Sequence, residues 1–360
     1  MGNALTDTSR PLKINNAYDA VFGGTQRINL CVVRANAASG TGLVVSYTPT
    51  LFSSPSTSII IAFGRSYNSL SSAVDDLRRE NNPYRNVILI VGTIELNNQT
   101  INILPDTVIA GYNNFINPPE VGTITGNRGA LVFNNGAFVN MNIRNNISLR
   151  LNLNRGGGVF GFGTNDQFSF AGCTLNLSVP IQITLLNRAS AYFIDCDIRG
   201  PSPLFDAIKE GVNNSNIYFA YSSIHLEGEN QSALIRTTFA SGATAKIDIN
   251  FRRTYYAGNI VATDFIIARF ENMEIEENRT NNIGINAYWY NNIIVFDEDK
   301  LGIEVDYLAK PLSPEEHASN YLINAVLVNK GEIDNSKFVK YSYITPNACV
   351  ITNSKEEDIE

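Results

Sequence analysis

Phe138-Val139-Asn140-Met141-Asn142-Ile143 and Phe170-Ala171-Gly172-Cys173-Thr174-Leu175 read alike: an aromatic anchor, two residues, a small or sulfur-bearing side chain, one residue, then Ile or Leu. The pattern returns at Phe193-x-x-Cys196-x-Ile198, Phe219-x-x-Ser222-x-Ile224 and Phe270-x-x-Met273-x-Ile275. Successive anchors lie 32, 23, 26 and 51 residues apart, and 51 is about two periods. A unit of this length cannot bury its own apolar face, so it must stack on its neighbours. The repeat therefore predicts a solenoid whose core contains Phe138, Met141, Ile143, Phe170, Cys173, Leu175, Phe193, Cys196, Ile198, Phe219, Ile224, Phe270, Met273 and Ile275.

Upstream of the repeat, residues 69–80 read as a helix. Ser69 can cap it, Leu70, Ala73, Val74 and Leu77 fall at helical spacing, and Asn81-Asn82-Pro83 stops it. Short β-branched runs follow at Val87–Val91, Thr93–Leu96, Thr100–Ile103 and Thr107–Gly111, with brief turns between them. Three short strands per coil fit this spacing better than the hairpins of an antiparallel sandwich.

A helix, a buried strand ending in Gly92-Thr93, then Ile101-x-Ile103 and Val108-Ile109-x-Gly111 resembles the opening of pectin-lyase-like right-handed parallel β-helices. The later Phe-x-Asn/Asp-Met/Cys-x-Ile units are similar to the inner rungs of that superfamily. The resemblance covers about residues 69–298. It implies an all-β, right-handed, single-stranded parallel β-helix with an N-terminal capping helix and small β-rich terminal regions. The expected organisation is an N-terminal β-rich arm or docking module at 1–64 and a capping helix at 65–84. About nine coils occupy 85–300, and a C-terminal cap fills 301–360, with a helix from Ser313-Pro314 to about Ile323, further strands and an acidic tail. In the arm, Ile28–Val33, Leu43–Tyr47 and Ser58–Phe63 read as strands.

Composition narrows the function. The chain has 360 residues, a formal net charge of −7 and only 17% charged residues. Basic residues never cluster beyond Arg78-Arg79 and Arg252-Arg253, which argues against a nucleic-acid partner. Asn, at 46 residues, takes the place of charge and suits tight turns and stacked ladders. Cys173 and Cys196 share a repeat slot and read as stacked thiols, with a disulfide as the alternative. No CxxC metal signature, secretory h-region or apolar transmembrane run is visible. Met1-Gly2-Asn3-Ala4-Leu5-Thr6 fits the N-myristoylation pattern at Gly2.

Many proteins of the resembled superfamily cleave acidic polysaccharides, but none of their catalytic elements can be placed here. The only histidines are His225 and His317, and no Gly-His-Gly, Asn-Thr-Asp, Arg-Ile-Lys or Asp-His element occurs. Carboxylates recur along one edge, and Asp195, Asp197, Arg199, Arg252, Tyr255 and Glu274 are the candidates for a carbohydrate or ion site. Asp197 and Glu274 hold the same slot about three coils apart, about 14 Å, beyond the ~5–9.5 Å span of a glycosidase carboxyl pair. Asn154-Arg155-Gly156-Gly157-Gly158 lacks the Lys-Ser/Thr and helix of a phosphate loop and reads as a wide turn. The lone Trp289 is expected in the core. No catalytic residue, cofactor or metal is assigned.

These features favour a non-catalytic structural or recognition β-helix, of the virion-associated kind (capsid decoration, tail or fibre). It would act through contacts with other subunits, as a trimer or within a larger assembly, with glycan as a further partner and virion or cytoplasm as its location. The alternatives are a polysaccharide-active lyase, hydrolase or esterase, and an adhesin or effector exported without a cleaved signal.

Overall fold

The computed structural model describes residues 26–35, 59–114, 120–153, 167–186, 188–227, 234–240, 245–252, 254–257, 266–271, 274–275, 287–290, 293–296, 320–323, 326–329, 342–344 and 349–352. Met273, Gly2, Leu43–Tyr47, the Gly156 cluster and His317 lie outside them. The chain forms two compact units, Met1–Ser178 and Val179–Glu360.

In the first unit, strands β1 (Gln26–Arg34), β2 (Ile59–Tyr67) and β3 (Arg85–Val91) belong to one wall. β1 lies between β2 and β3 and is parallel to both. The wall continues through Thr107–Asn114, Gly136–Val139 and Gln167–Ala171, each again parallel to its predecessor. A second wall stacks Thr93–Glu95, Thr123–Thr125, the start of Asn142–Leu153, and Thr174–Leu177. A third stacks Thr100–Asn102, Asn127–Phe133 and the rest of Asn142–Leu153. One short pairing, Asn113–Asn114 with Val121–Glu120, is antiparallel. Parallel strands reached in turn around three walls make a parallel β-helix.

The second unit repeats the arrangement. One wall runs Ser190–Ile194, Ser215–Ala220, Ile247–Arg252, Ile266–Glu271, Ala287–Tyr290, Asn320–Ile323 and Ser342–Ile344, all parallel. Asp197–Pro201, Ser223–Glu227 and Tyr255–Ala257 form another, and Ile181–Leu186, Phe205–Glu210 and Ile235–Phe239 a third. Glu274–Ile275, Ile293–Phe296, Val326–Asn329 and Cys349–Thr352 form a further parallel ladder.

The repeat now has a physical explanation. Its first residue is an inward ring: Phe193 stacks on Phe219 at 4.9 Å and Phe219 on Phe251 at 5.2 Å, while Phe138 stacks on Phe170 at 5.5 Å. Its third residue turns the corner between walls in the left-handed region, with φ of 52° at Asn140, 63° at Gly172, 53° at Asp195 and 52° at Tyr221. Its fourth residue sends a small donor back across that corner. Cys173, Cys196, Ser222 and Thr254 donate to the carbonyls of Ala171, Ile194, Ala220 and Arg252 respectively. Cys173 and Ser222 also reach the carbonyl of the previous anchor, Phe138 and Phe193. A large side chain without a donor loses this bond, and Met141 is the exception. Its sixth residue (Ile143, Leu175, Ile198 or Ile224) is fully buried. Phe138, Met141, Phe170, Cys173, Phe193, Cys196 and Phe219 are buried as expected. Phe270 pairs in register with Phe251, and Ile275 lies in Glu274–Ile275. Cys31, Cys173 and Cys196 remain thiols.

The long interval between Phe219 and Phe270 contains the coil anchored by Phe251, which pairs with both. Tyr256 stands where the repeat has Ile or Leu, opposite Ile224, and this disguises the copy in the sequence.

Helix α1 (Leu70–Glu80) forms as the spacing predicts. Ser69 accepts from the Ser72 N–H at 3.3 Å, Asn81 closes the helix in the left-handed region, and Leu70, Ala73, Val74 and Leu77 are buried. The helix packs against β1 and β2. Asp76 ties it down, accepting from the Tyr67 hydroxyl at 2.5 Å and the Arg65 guanidinium at 2.7 Å, with Arg79 on its other oxygen.

Two expectations change. The boundary drawn at residue 64 falls inside β2, because residues 26–34 and 59–67 are strands of the same parallel wall. The helix expected to run to Ile323 does not, since Asn320–Ile323 is a strand paired with Ala287–Tyr290. Tyr321, Leu322 and Ile323 favour a pleated surface, and the ladder below supplies partners for their backbone.

Two outcomes follow. Ile198→Asp should abolish the cooperative melt or cost at least about 3 kcal/mol, because it places an unpaired charge between stacked coils. Circular dichroism melting checks it, and an unchanged melt would place Ile198 outside the core. The Tyr67 hydrogen bond, then the Arg65 bond and the charges of Arg79 and Arg65, hold the Asp76 carboxyl below its usual range, with burial opposing. The carboxylate therefore stabilises the fold above the unfolded value near 3.9, and this contribution is lost as pH falls through the lower folded value. Asp76→Asn should show lower stability at neutral pH and a smaller loss on acidification, read from urea midpoints between about pH 6 and about pH 2.

Candidate functional site

The predicted site residues do not converge on one centre. Asp195 occupies the left-handed corner and its N–H donates to the Ala220 carbonyl at 2.9 Å, so its first role is in the turn. Asp197 is half-buried on the next strand, where its Oδ1 accepts from the Ser223 hydroxyl at 2.7 Å. Arg199 is exposed and pairs in register with His225. Arg252 is exposed on another wall, opposite Ala220 and Glu271. Tyr255 follows Ser223 in the Asp197 row, and Glu274 pairs with Ile293 in a different ladder. Among the described residues, no group of three His, Cys, Asp or Glu side chains could hold a metal ion.

The structure brings together a different set. On the Phe wall of the second unit the strands alternate, and the residues just before Phe193, Phe219 and Phe251 lie on the outer face. Tyr192 and Tyr218 are such residues, half-exposed on consecutive coils with ring centroids 6.1 Å apart and planes tilted by 58°. Asn250 follows them, also half-exposed. The backbone register continues the row through Arg269, Tyr288, Tyr321 and Tyr343. Five of the seven positions are therefore Tyr. The adjacent row of anchors reads Phe193, Phe219, Phe251, Phe270, Trp289, Leu322 and Ile344, so Trp289 shares the register of the anchors. The sequence carries the signal for the outer row in Tyr192-Phe193, Tyr218-Phe219 and Tyr288-Trp289, one residue before each anchor. In the first unit the corresponding positions are Val108, Ala137 and Ser169, so the tyrosines belong to the second unit alone.

A second feature escaped the sequence reading. Lys209 lies at an inward position, between Leu185 and Phe239 in register, and is fully buried. Its Nζ donates to the Glu210 carbonyl at 2.6 Å and to the Leu185 carbonyl at 3.5 Å. Burial pushes its pKa below the usual lysine value, and the Glu210 charge opposes that shift.

No protein-family model matches the chain, and no curated protein matches it. Among solved structures, the chain is similar to a pectin methylesterase from Aspergillus niger in penultimately deglycosylated form. The two are 12% identical, the match covers 82% of this chain and 85% of that one, and the TM-score is 0.35. At this level the likeness carries no argument about activity, and the fold rests on the strand register described above.

Lys209 supplies a test of the core. With a depressed folded pKa, the unfolded chain holds more protons up to about pH 10.4, so the penalty for burying the charge shrinks as pH rises through the folded value. Lys209→Met should raise the urea midpoint at neutral pH and flatten the alkaline rise expected of the parent. A lower midpoint with the rise intact would show that the carbonyl contacts outweigh the cost of burying the charge.

Proposed function

We propose that this protein is a non-catalytic recognition β-helix, a virion-associated component in its finer form, that works by contact through the outer face of its second unit. The observation that supports the reading is the tyrosine row. Tyr combines a rigid apolar ring with a polar tip and is enriched at contact surfaces, where a few such residues dominate binding. A parallel β-helix holds one row of side chains at a fixed interstrand pitch of about 4.8 Å, so the array is organised before any partner arrives. The dispersal of Asp195, Asp197 and Glu274 over a turn and two ladders also favours contact over chemistry.

The double variant Tyr192→Ala/Tyr218→Ala should lower incorporation into the native assembly about tenfold or more while the melting temperature stays put. Quantitative mass spectrometry of purified assemblies, beside a calorimetric melt, makes the measurement. Release of reducing ends, methanol or acetate from polysaccharide by the purified chain would overturn the reading in favour of an enzyme.

A further inference from the structure

We infer that the tyrosine row of the second unit binds an extended, uncharged glycan chain, laid across the coils so that sugar faces stack on successive rings. The inference rests on the recognition reading and names its ligand. Four observations carry it. First, the row is one-dimensional and evenly pitched. Seven register positions span six interstrand steps, about 29 Å in all at ~4.8 Å per step, which suits a polymer of repeating units. Second, the rings whose surroundings are described, Tyr192 and Tyr218, are half-buried on the outer face and tilted against each other rather than stacked face to face. Third, Asn216 and Asn250, both half-exposed, stand beside and within the row and offer amide donors and acceptors to hydroxyl groups.

Fourth, charge on this wall cancels. Arg269 in the row and Arg252 beside it are matched by Asp248 and Glu271 in the flanking rows. An acidic polysaccharide or a single-stranded nucleic acid would need a net positive groove, since stacking on aromatic residues is only half of that recognition. A second copy of the chain fits less well. A stable protein–protein interface covers about 800 Å² on each partner and so must reach well beyond the row, whereas a glycan chain is seated by the row alone.

Binding of the full-length chain is measured on an array of neutral and uronate-containing oligosaccharides, from disaccharide to octasaccharide. Titration calorimetry with cellohexaose, maltohexaose and laminarihexaose follows. The expected result is capture of neutral chains, tighter with length, and an affinity that holds between about 0.05 and about 0.5 M salt. Tyr218→Ala and Tyr288→Ala should each weaken binding about tenfold or more, whereas Tyr218→Phe retains it to within about threefold, because the ring and not the hydroxyl does the stacking. Val212→Ala, at an exposed site off the row, should change nothing.

Three results would overturn the inference: no neutral chain bound, only uronate chains bound with salt-sensitive affinity, or a dimer in light scattering that Tyr218→Ala dissociates. If glycan binding fails while Tyr192→Ala/Tyr218→Ala still blocks assembly, the ligand assignment falls and the recognition reading stands. If a glycan is bound and cleaved, the recognition reading itself falls.

Discussion

The structure depends on one constraint: each strand must meet the same residue of the next coil in parallel register. Everything the chain repeats serves that. Phe193, Phe219 and Phe251 stack ring on ring because their backbones are hydrogen-bonded neighbours. A slip of one residue would turn the rings to solvent and Tyr218 and Asn250 inward. The left-handed corner after each anchor fixes where one wall ends and the next begins. The donor in the fourth position then adds a second bond to a carbonyl that already accepts the corner N–H of the neighbouring coil, as at Ala171, Ala220 and Arg252. Corners also restrict their neighbours. A Cβ at Gly172 would collide with Asn140 Oδ1, so one coil spends its freedom of substitution on the side chain of the coil beside it.

Polar groups inside the stack obey the same rule. Asn29 is nearly fully buried on β1, and its amide donates to the side chains of Asn82 and Asn86 and to the Tyr84 carbonyl. Lys209 is kept in the core by carbonyls within reach of its Nζ. Both show polar side chains entering the core where backbone or amide partners are in place.

The two faces of a strand carry separate information. The inward face is bound to the repeat because each residue rests on two others. The outward face is free to vary from coil to coil, and tyrosines recurring there are not required by packing. A parallel solenoid converts their spacing along the chain, which is irregular, into an even spacing in space. That conversion sets scattered tyrosines in one register row, and it is the basis of the proposal that the second unit serves recognition.

By itself the sequence determined the solenoid, the helix at 70–80, the strands from 87 to 111 and much of the described core, because burial is dictated locally by an anchor, a corner and an inward aliphatic. Asn140 and Asp195 take the corners because Asn and Asp tolerate the left-handed region. Only the tertiary structure decided which residues share a row. Phe251 escaped notice because Tyr256 replaces the aliphatic member of its repeat, and Asn320–Ile323 became a strand because a paired edge outweighed a weak helix start. Lys209 was beyond reach, and the tyrosine row shows in the sequence only as separate Tyr-aromatic pairs, for the same physical reason. Register joins residues tens of positions apart, and loops of unequal length hide from the linear sequence what hydrogen bonding between coils sets side by side.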